Sequence, residues 1–145
     1  MAITAQQYLE NLPNYVAEEG EEYMNDKQLE HFRNKLKTWK RLIMEEVDLT
    51  IEHMKRDTEN PADPADRATL EEEFALELRT RDRERKLLKK IEKSLRDIET
   101  GEYGYCKVSG EEIGLARLDA RPTADMTIEA KERQELLEKQ GVFNN

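Results

Sequence analysis

Two prolines inside an acidic stretch, Asp57-Thr58-Glu59-Asn60-Pro61-Ala62-Asp63-Pro64-Ala65-Asp66-Arg67-Ala68, separate two long helix-patterned runs and fold the chain back on itself. Proline disfavours helical geometry in the residue before it, so Asn60 and Asp63 are expected to be extended and the first helix to end near Asp57. The second helix starts at once, with Asp63 suited to the N-cap, Pro64 to the first helical position and Asp66 placing negative charge in the first turn. A helical hairpin with an acidic tip follows.

Each arm carries its own seam. Asn25 is a fit N-cap, Gln28 sits at the capping-box position, and Met24 is placed to contact Leu29 as a hydrophobic staple. Leu29, Phe32, Leu36, Trp39, Ile43, Val47, Ile51 and Met54 then recur at steps of three and four, the pattern of one narrow coiled-coil face with a stutter at Ile43-Val47-Ile51. Roughly 30 helical residues span about 45 Å. The second arm should run from Pro64 to about Glu99, with Gly101 just beyond it. Leu70, Phe74 and Leu78 are expected to pack near the tip, and Leu88, Ile91, Leu95 and Ile98 near the base. The seam between them is polar, so firm ends and a loose middle are expected. Pairing about the tip sets Trp39 opposite Arg81 and Arg85, where an indole face can hold a guanidinium.

The chain has 37% hydrophobic residues, thin for one round core, and 39% charged residues, apt for a hairpin with solvated flanks. A net charge of -9 argues against free binding to nucleic acid. Charge is nevertheless segregated. Between Arg79 and Asp97, the cations Arg79, Arg81, Arg83, Arg85, Lys86, Lys89, Lys90, Lys93 and Arg96 outnumber the acids Asp82, Glu84, Glu92 and Asp97. One side of the second helix can attract anions; the plainer reading is a solvated face with i,i+4 charge pairs.

Residues 1–24 hold a weak apolar cluster, Tyr8, Leu9, Leu12, Tyr15 and Val16, read as a short helix and acidic linker packed on the hairpin base or the C-terminal module. The hairpin occupies residues 25–100, with its tip at 57–66. From Gly101 to Gly114, glycines and alternating tyrosines suggest a tight turn in a small knuckle-like module over residues 101–131. Leu115 to Ala120 reads as a helical turn. A last helix is expected from about Ala124 to Lys139, within residues 124–140, burying Met126 and Leu137. The fold class is mainly α: a long antiparallel coiled-coil hairpin plus a small globular module. The single Cys106 excludes an intramolecular disulfide, no apolar run approaches the roughly 20 residues of a membrane span, and the N-terminus lacks a secretory pattern. A monomer in a reducing cytoplasm, without membrane contact, is expected.

Convergent catalytic groups are absent from the pattern. His31 and His53 lack HExxH spacing and are expected to be surface or flank residues. There is no glycine-rich phosphate loop and no nucleophile elbow. Asp63 and Asp66 have a structural explanation as caps, and two tip carboxylates alone hold Mg²⁺ poorly. No enzyme is expected.

The run Pro61-Ala62-Asp63-Pro64-Ala65-Asp66-Arg67-Ala68, followed by Glu71-Glu72-Glu73-Phe74, Arg81-Asp82-Arg83-Glu84-Arg85-Lys86-Leu87 and Lys89-Lys90-Ile91-Glu92-Lys93, resembles the DksA family of bacterial RNA-polymerase-binding regulators. Gly104-Tyr105-Cys106 and Leu118-Asp119-Ala120-Arg121-Pro122-Thr123-Ala124-Asp125 extend the resemblance, which covers about residues 20 to 140. It implies a factor that does not bind DNA, docks at the β′ rim of the polymerase secondary channel and sends its coiled coil toward the active centre. Such factors destabilise promoter open complexes, often with the alarmone ppGpp, repressing ribosomal RNA promoters and activating some amino-acid biosynthesis promoters. By the resemblance, Asp63, Asp66 and Ala68 carry the tip effect, and Arg83, Leu87, Lys90, Arg121 and Lys131 match positions at the polymerase and ppGpp interface. A basic helix face beside a basic module is chemically apt for a polyphosphate.

The resemblance breaks at the metal. The family type carries four zinc-binding cysteines, at positions held here by Cys106, Ser109, Thr127 and Ala130. Neither neutral hydroxyls nor alanine replace thiolates in a closed tetrahedral set, so this degenerate zinc-finger-like module is expected to hold no zinc and to rely on local packing. In this it resembles cysteine-poor, zinc-independent DksA paralogues. Cys106 is expected to be a small buried hydrophobe. Two rival readings remain: a transcript-cleavage factor of the Gre type, which also presents acids on a coiled-coil tip, and a coiled-coil adaptor whose acidic loop binds a basic partner.

Overall fold

The computed structural model describes residues 3–59 and 64–141, with the side chains of 57–59 and 64–67 outside that description. Five helices follow in order: α1 (Ala5–Asn11), α2 (Asp26–Glu59), α3 (Pro64–Thr100), α4 (Leu115–Ala120) and α5 (Ile128–Lys139). The expected mainly α hairpin with a small module is what forms. Among the described residues, pairing of the β type is confined to an isolated bridge between Tyr105 and Glu112.

Helix α2 runs two residues past the expected end at Asp57, because proline at position 61 restricts Asn60 and leaves Glu59 free to stay helical. Pro64 takes the first position of α3, as its fixed φ and missing N–H suit it to do. Asp63, the expected N-cap, lies outside the described residues. At the other end of α2 the Asn25 side chain accepts from the Gln28 N–H at 2.9 Å, as an N-cap does. The Gln28 side chain reaches one residue further back than a capping box, accepting from the Met24 N–H at 2.7 Å. Met24 holds a positive φ of 54°, and its side chain lies against Gly104 in the module.

Cross-hairpin ion pairs define the register: Arg33 with Glu99 at 3.3 Å, Lys40 with Glu92 at 3.7 Å and His53 with Glu77 at 2.7 Å. Trp39, next to Lys40, is therefore level with the turn of α3 around Glu92 and is buried in the core, about two turns nearer the base than Arg85, so the expected pairing with Arg81 and Arg85 does not form. Burial at the base decides this register. Phe32, Leu36 and Ile43 of α2 and Ile91 of α3 are almost wholly buried, each worth about 1.5 to 3 kcal/mol relative to exposure.

Packing thins toward the tip, correcting the expectation of two firm ends. Val47, Met54, Leu70 and Phe74 are half-buried, while Leu49, Ile51, Leu76 and Leu78 are exposed. Base packing is dense because α1, α4 and the knuckle cover α2 on more than the seam. Gln28, Lys35 and Leu42, seven residues apart on a row beside the seam, are all buried as well.

The N-terminal segment packs on both α2 and α4. Thr4 and Gln7 form a capping box on α1, and the Ala5 N–H donates to Glu46 at 2.7 Å. Glu21, in the acidic linker, organises the turn before α2. It accepts from the Tyr15 hydroxyl, the Glu18 N–H and the Asn25 and Gln28 amides, which hold its carboxyl down at about 2.

Helix α5 begins at Ile128, not near Ala124. The Lys107 N–H donates to the Asp125 carbonyl at 2.9 Å, tying that segment to the knuckle, and Thr127 then caps the helix by accepting from the Ala130 N–H at 3.2 Å. Met126 is buried from this extended segment, whereas Leu137 stays half-exposed.

Candidate functional site

The last turns of α3 meet the module at an open groove of about 150 Å³. Lys90 and Lys93 enter from α3, Arg117 from α4, Arg121 from the turn that ends α4, and Lys131 from the first turn of α5. Lys90, Arg121 and Lys131, some 40 residues apart at the extremes, thus line one groove. Their surroundings distinguish them. Lys93 bonds Asp97 at 2.9 Å, and Arg117 donates from Nε to the Met126 carbonyl at 3.1 Å. Lys90, Arg121 and Lys131 are exposed and have no acidic partner among the described residues. Three uncommitted cations around one concavity suit an anion with several oxygens.

Arg83 and Leu87 lie outside the groove, further along α3 toward the tip. With Lys90 they share a helix face at steps of four and three, Arg83 exposed and Leu87 half-buried. The tip residues are less fully described: Asp63 lies outside the described residues, Asp66 is described only as backbone of α3, and Ala68 is exposed.

On the other side of the module stand the four positions where metal ligands would be sought. Cys106 is buried, and the Thr127 hydroxyl donates toward its Sγ at 4.0 Å while accepting from the Ala130 N–H. Ser109 Oγ accepts from the Glu111 N–H at 3.3 Å, and the Gly110 N–H donates to the Cys106 carbonyl at 2.9 Å. One thiol, two hydroxyls already engaged in hydrogen bonds and a methyl group do not fit a tetrahedral zinc ion. Among the described residues no group of three or more His, Cys, Asp or Glu side chains converges on a metal-sized site.

Cys106 is packed in the hydrophobic core, as expected of a small buried hydrophobe, and its neighbours also act on its thiol. Burial pushes its thiol up, but bonds from the Ser109 hydroxyl and from the N–H groups of Ser109, Thr127 and Val108 outweigh it and bring the thiol down to about 6. The knuckle backbone still suits a thiolate.

A second polar centre was not legible in the sequence. Asp119, fully buried at the end of α4, accepts from His31 Nε2 at 2.7 Å, from the Tyr15 N–H at 2.7 Å and from Lys35 at 2.9 Å. His31 is therefore a half-buried member of the joint between hairpin, arm and module, not a surface bystander; its imidazole stacks edge-on to Phe32 at 4.8 Å. His53 is exposed, as expected. The heptad spacing of Gln28, Lys35 and Leu42 was the available signal.

No helix among the described residues is long and apolar enough to cross a membrane. The model of the DnaK suppressor protein DksA N-terminal domain matches residues 28–98, and that of the prokaryotic dksA/traR C4-type zinc finger matches residues 101–136. The RNA polymerase-binding transcription factor DksA of Caulobacter vibrioides is 56% identical over 126 residues, covering 87% of this chain and 89% of that protein. The Escherichia coli K12 protein of the same name is 55% identical over 126 residues, covering 87% of this chain and 83% of its own length. Among solved structures, transcription factor DksA2 from Pseudomonas aeruginosa matches with a TM-score of 0.76 at 39% identity, over 92% of this chain and 98% of that one. With both family models matched in order and identity above half across most of the sequence, the chain belongs to the DksA family.

Proposed function

We propose that this chain is an RNA polymerase-binding transcription regulator that works from the secondary channel in the bacterial cytoplasm. The module docks at the β′ rim, the hairpin extends inward, and Asp63, Asp66 and Ala68 at the tip destabilise promoter open complexes. It contributes no catalytic chemistry and needs neither direct DNA contact nor a second copy of itself. The names of its relatives support polymerase binding. Its own net charge of -9 disfavours an independent grip on DNA.

ppGpp is the effector proposed for the basic groove. The carrying observation is that Lys90, Arg121 and Lys131 converge there with no acidic partners among the described residues. The groove is open, so the polymerase surface completes the site, while Arg83 and Leu87 extend the same face along the channel. Action without zinc is proposed from the donor set at Cys106, Ser109, Thr127 and Ala130.

Transcription from a ribosomal RNA promoter by purified polymerase tests the reading. The protein should repress, and ppGpp should deepen repression. Stimulated cleavage of nascent RNA in stalled complexes would instead identify a Gre-type factor, and no effect on purified transcription would leave an adaptor.

A further inference from the structure

The basic groove contains an acid that the fold does not require. Asp97 lines it from the last turn of α3, its side chain only 19% exposed, and binds Lys93 at 2.9 Å. An acid in the last turn opposes the helix dipole, and Lys preceding Asp by four residues is the weaker order for a helical pair. No basic residue offsets it in that turn. The helix end is closed by the Asp97 backbone carbonyl, which accepts from Glu102 and Tyr103 at 2.9 and 3.1 Å, so the side chain adds nothing to the cap.

The groove's other carboxylate differs. Asp125 pairs at 3.2 Å with Lys107, which does not line the groove. Asp97 pairs with a cation of the groove itself, so it both repels an incoming anion and withholds Lys93 from it.

We propose that Asp97 is a specificity-determining counter-charge that sets the threshold for polyphosphorylated nucleotides in this groove, by masking Lys93 until ligand and polymerase together draw it away. The proposal rests on the reading of the groove as the ppGpp site. Its content is separate: affinity is restrained by a built-in acid, which keeps weakly charged phosphates from engaging.

The test is the ppGpp concentration giving half-maximal extra repression of a ribosomal promoter, measured with the full chain and purified polymerase at two salt concentrations. Asp97→Asn should lower that concentration about three- to tenfold at low salt, with a smaller gain at high salt, as expected for removing one charge near the ligand. Asp97→Glu should keep the wild-type threshold. With Lys93→Ala also present, the gain from Asp97→Asn should shrink. An unchanged or raised half-maximal concentration in Asp97→Asn, while Lys90→Ala weakens the ppGpp response, overturns the threshold role and leaves the site standing. A Lys90→Ala response equal to wild type overturns the site, and the threshold role falls with it.

Discussion

The ammonium of Lys35 donates to Asp119 twice, to Oδ1 at 2.9 Å and to the backbone carbonyl at 2.7 Å, where neither side chain retains more than 1% of its exposure. This bond joins the hairpin to the module. Because it is buried, removal of one partner strands a charge: Asp119→Ala should cost about 3 to 5 kcal/mol in chemical denaturation. A combined Lys35→Met, Asp119→Leu chain should recover a large part of that loss. A cost below about 1 kcal/mol for the single substitution would refute the joint.

The same site sets an acid limit. Burial alone would raise the Asp119 carboxyl, but bonds from His31, the Tyr15 N–H and Lys35, with the Lys35 charge, hold it below the ordinary range. Its stabilising contribution is complete above the unfolded-state value of about 3.9 and is lost as pH falls through the lower folded-state value. Stability measured between pH 5 and 2 should fall less steeply in Asp119→Asn than in wild type, although the variant starts from a lower value.

Tyr23 ties the segment before α2 to the knuckle. Its hydroxyl donates to the Gly104 carbonyl at 2.6 Å and accepts from the Gly114 N–H at 2.9 Å. Tyr23→Phe should cost about 1 to 3 kcal/mol through these two groups. Gly104→Ala should be at least as costly, since φ is +91° and a Cβ would lie 2.8 Å from Met24 Cγ. Melting curves of the two variants check both figures.

Metal removal should change little. The purified chain should contain no stoichiometric zinc and keep its melting temperature in strong chelator if, as proposed, the donor set at Cys106, Ser109, Thr127 and Ala130 leaves folding uncoupled from a metal. Cys106→Ser should be tolerated apart from a modest packing loss. One zinc per chain, or chelator-induced unfolding of the module, would reverse the account of the knuckle.

The hairpin was legible because proline at 61 and 64 and a three-four apolar step act locally. Pro64 opens α3 and Asn25 caps α2 for reasons contained in a few neighbouring residues. The register was not. Trp39 lies level with the turn of α3 around Glu92 because the base, built from three distant segments, outweighs symmetry about the tip. The same distance hid the joint, since His31 and Asp119 are 88 residues apart and neither carries a local motif. The groove was legible through resemblance, which named Lys90, Arg121 and Lys131 together; spacing along the chain alone did not unite them. Asp97 stayed inconspicuous within a charge run until its place in the groove separated it from the acids around it.

The lifetime of open complexes at a ribosomal RNA promoter, challenged with competitor, reports whether the tip acids act on the promoter complex from inside polymerase, as proposed. The wild-type chain should shorten that lifetime, whereas Asp66→Asn should bind polymerase with unchanged affinity and helicity yet leave the lifetime near that of polymerase alone. If Asp66 supplied only first-turn charge, the substitution would cost about 0.3 to 1 kcal/mol of stability and leave regulation nearly intact. An Asp66→Asn chain that shortens the lifetime as fully as wild type would contradict the account.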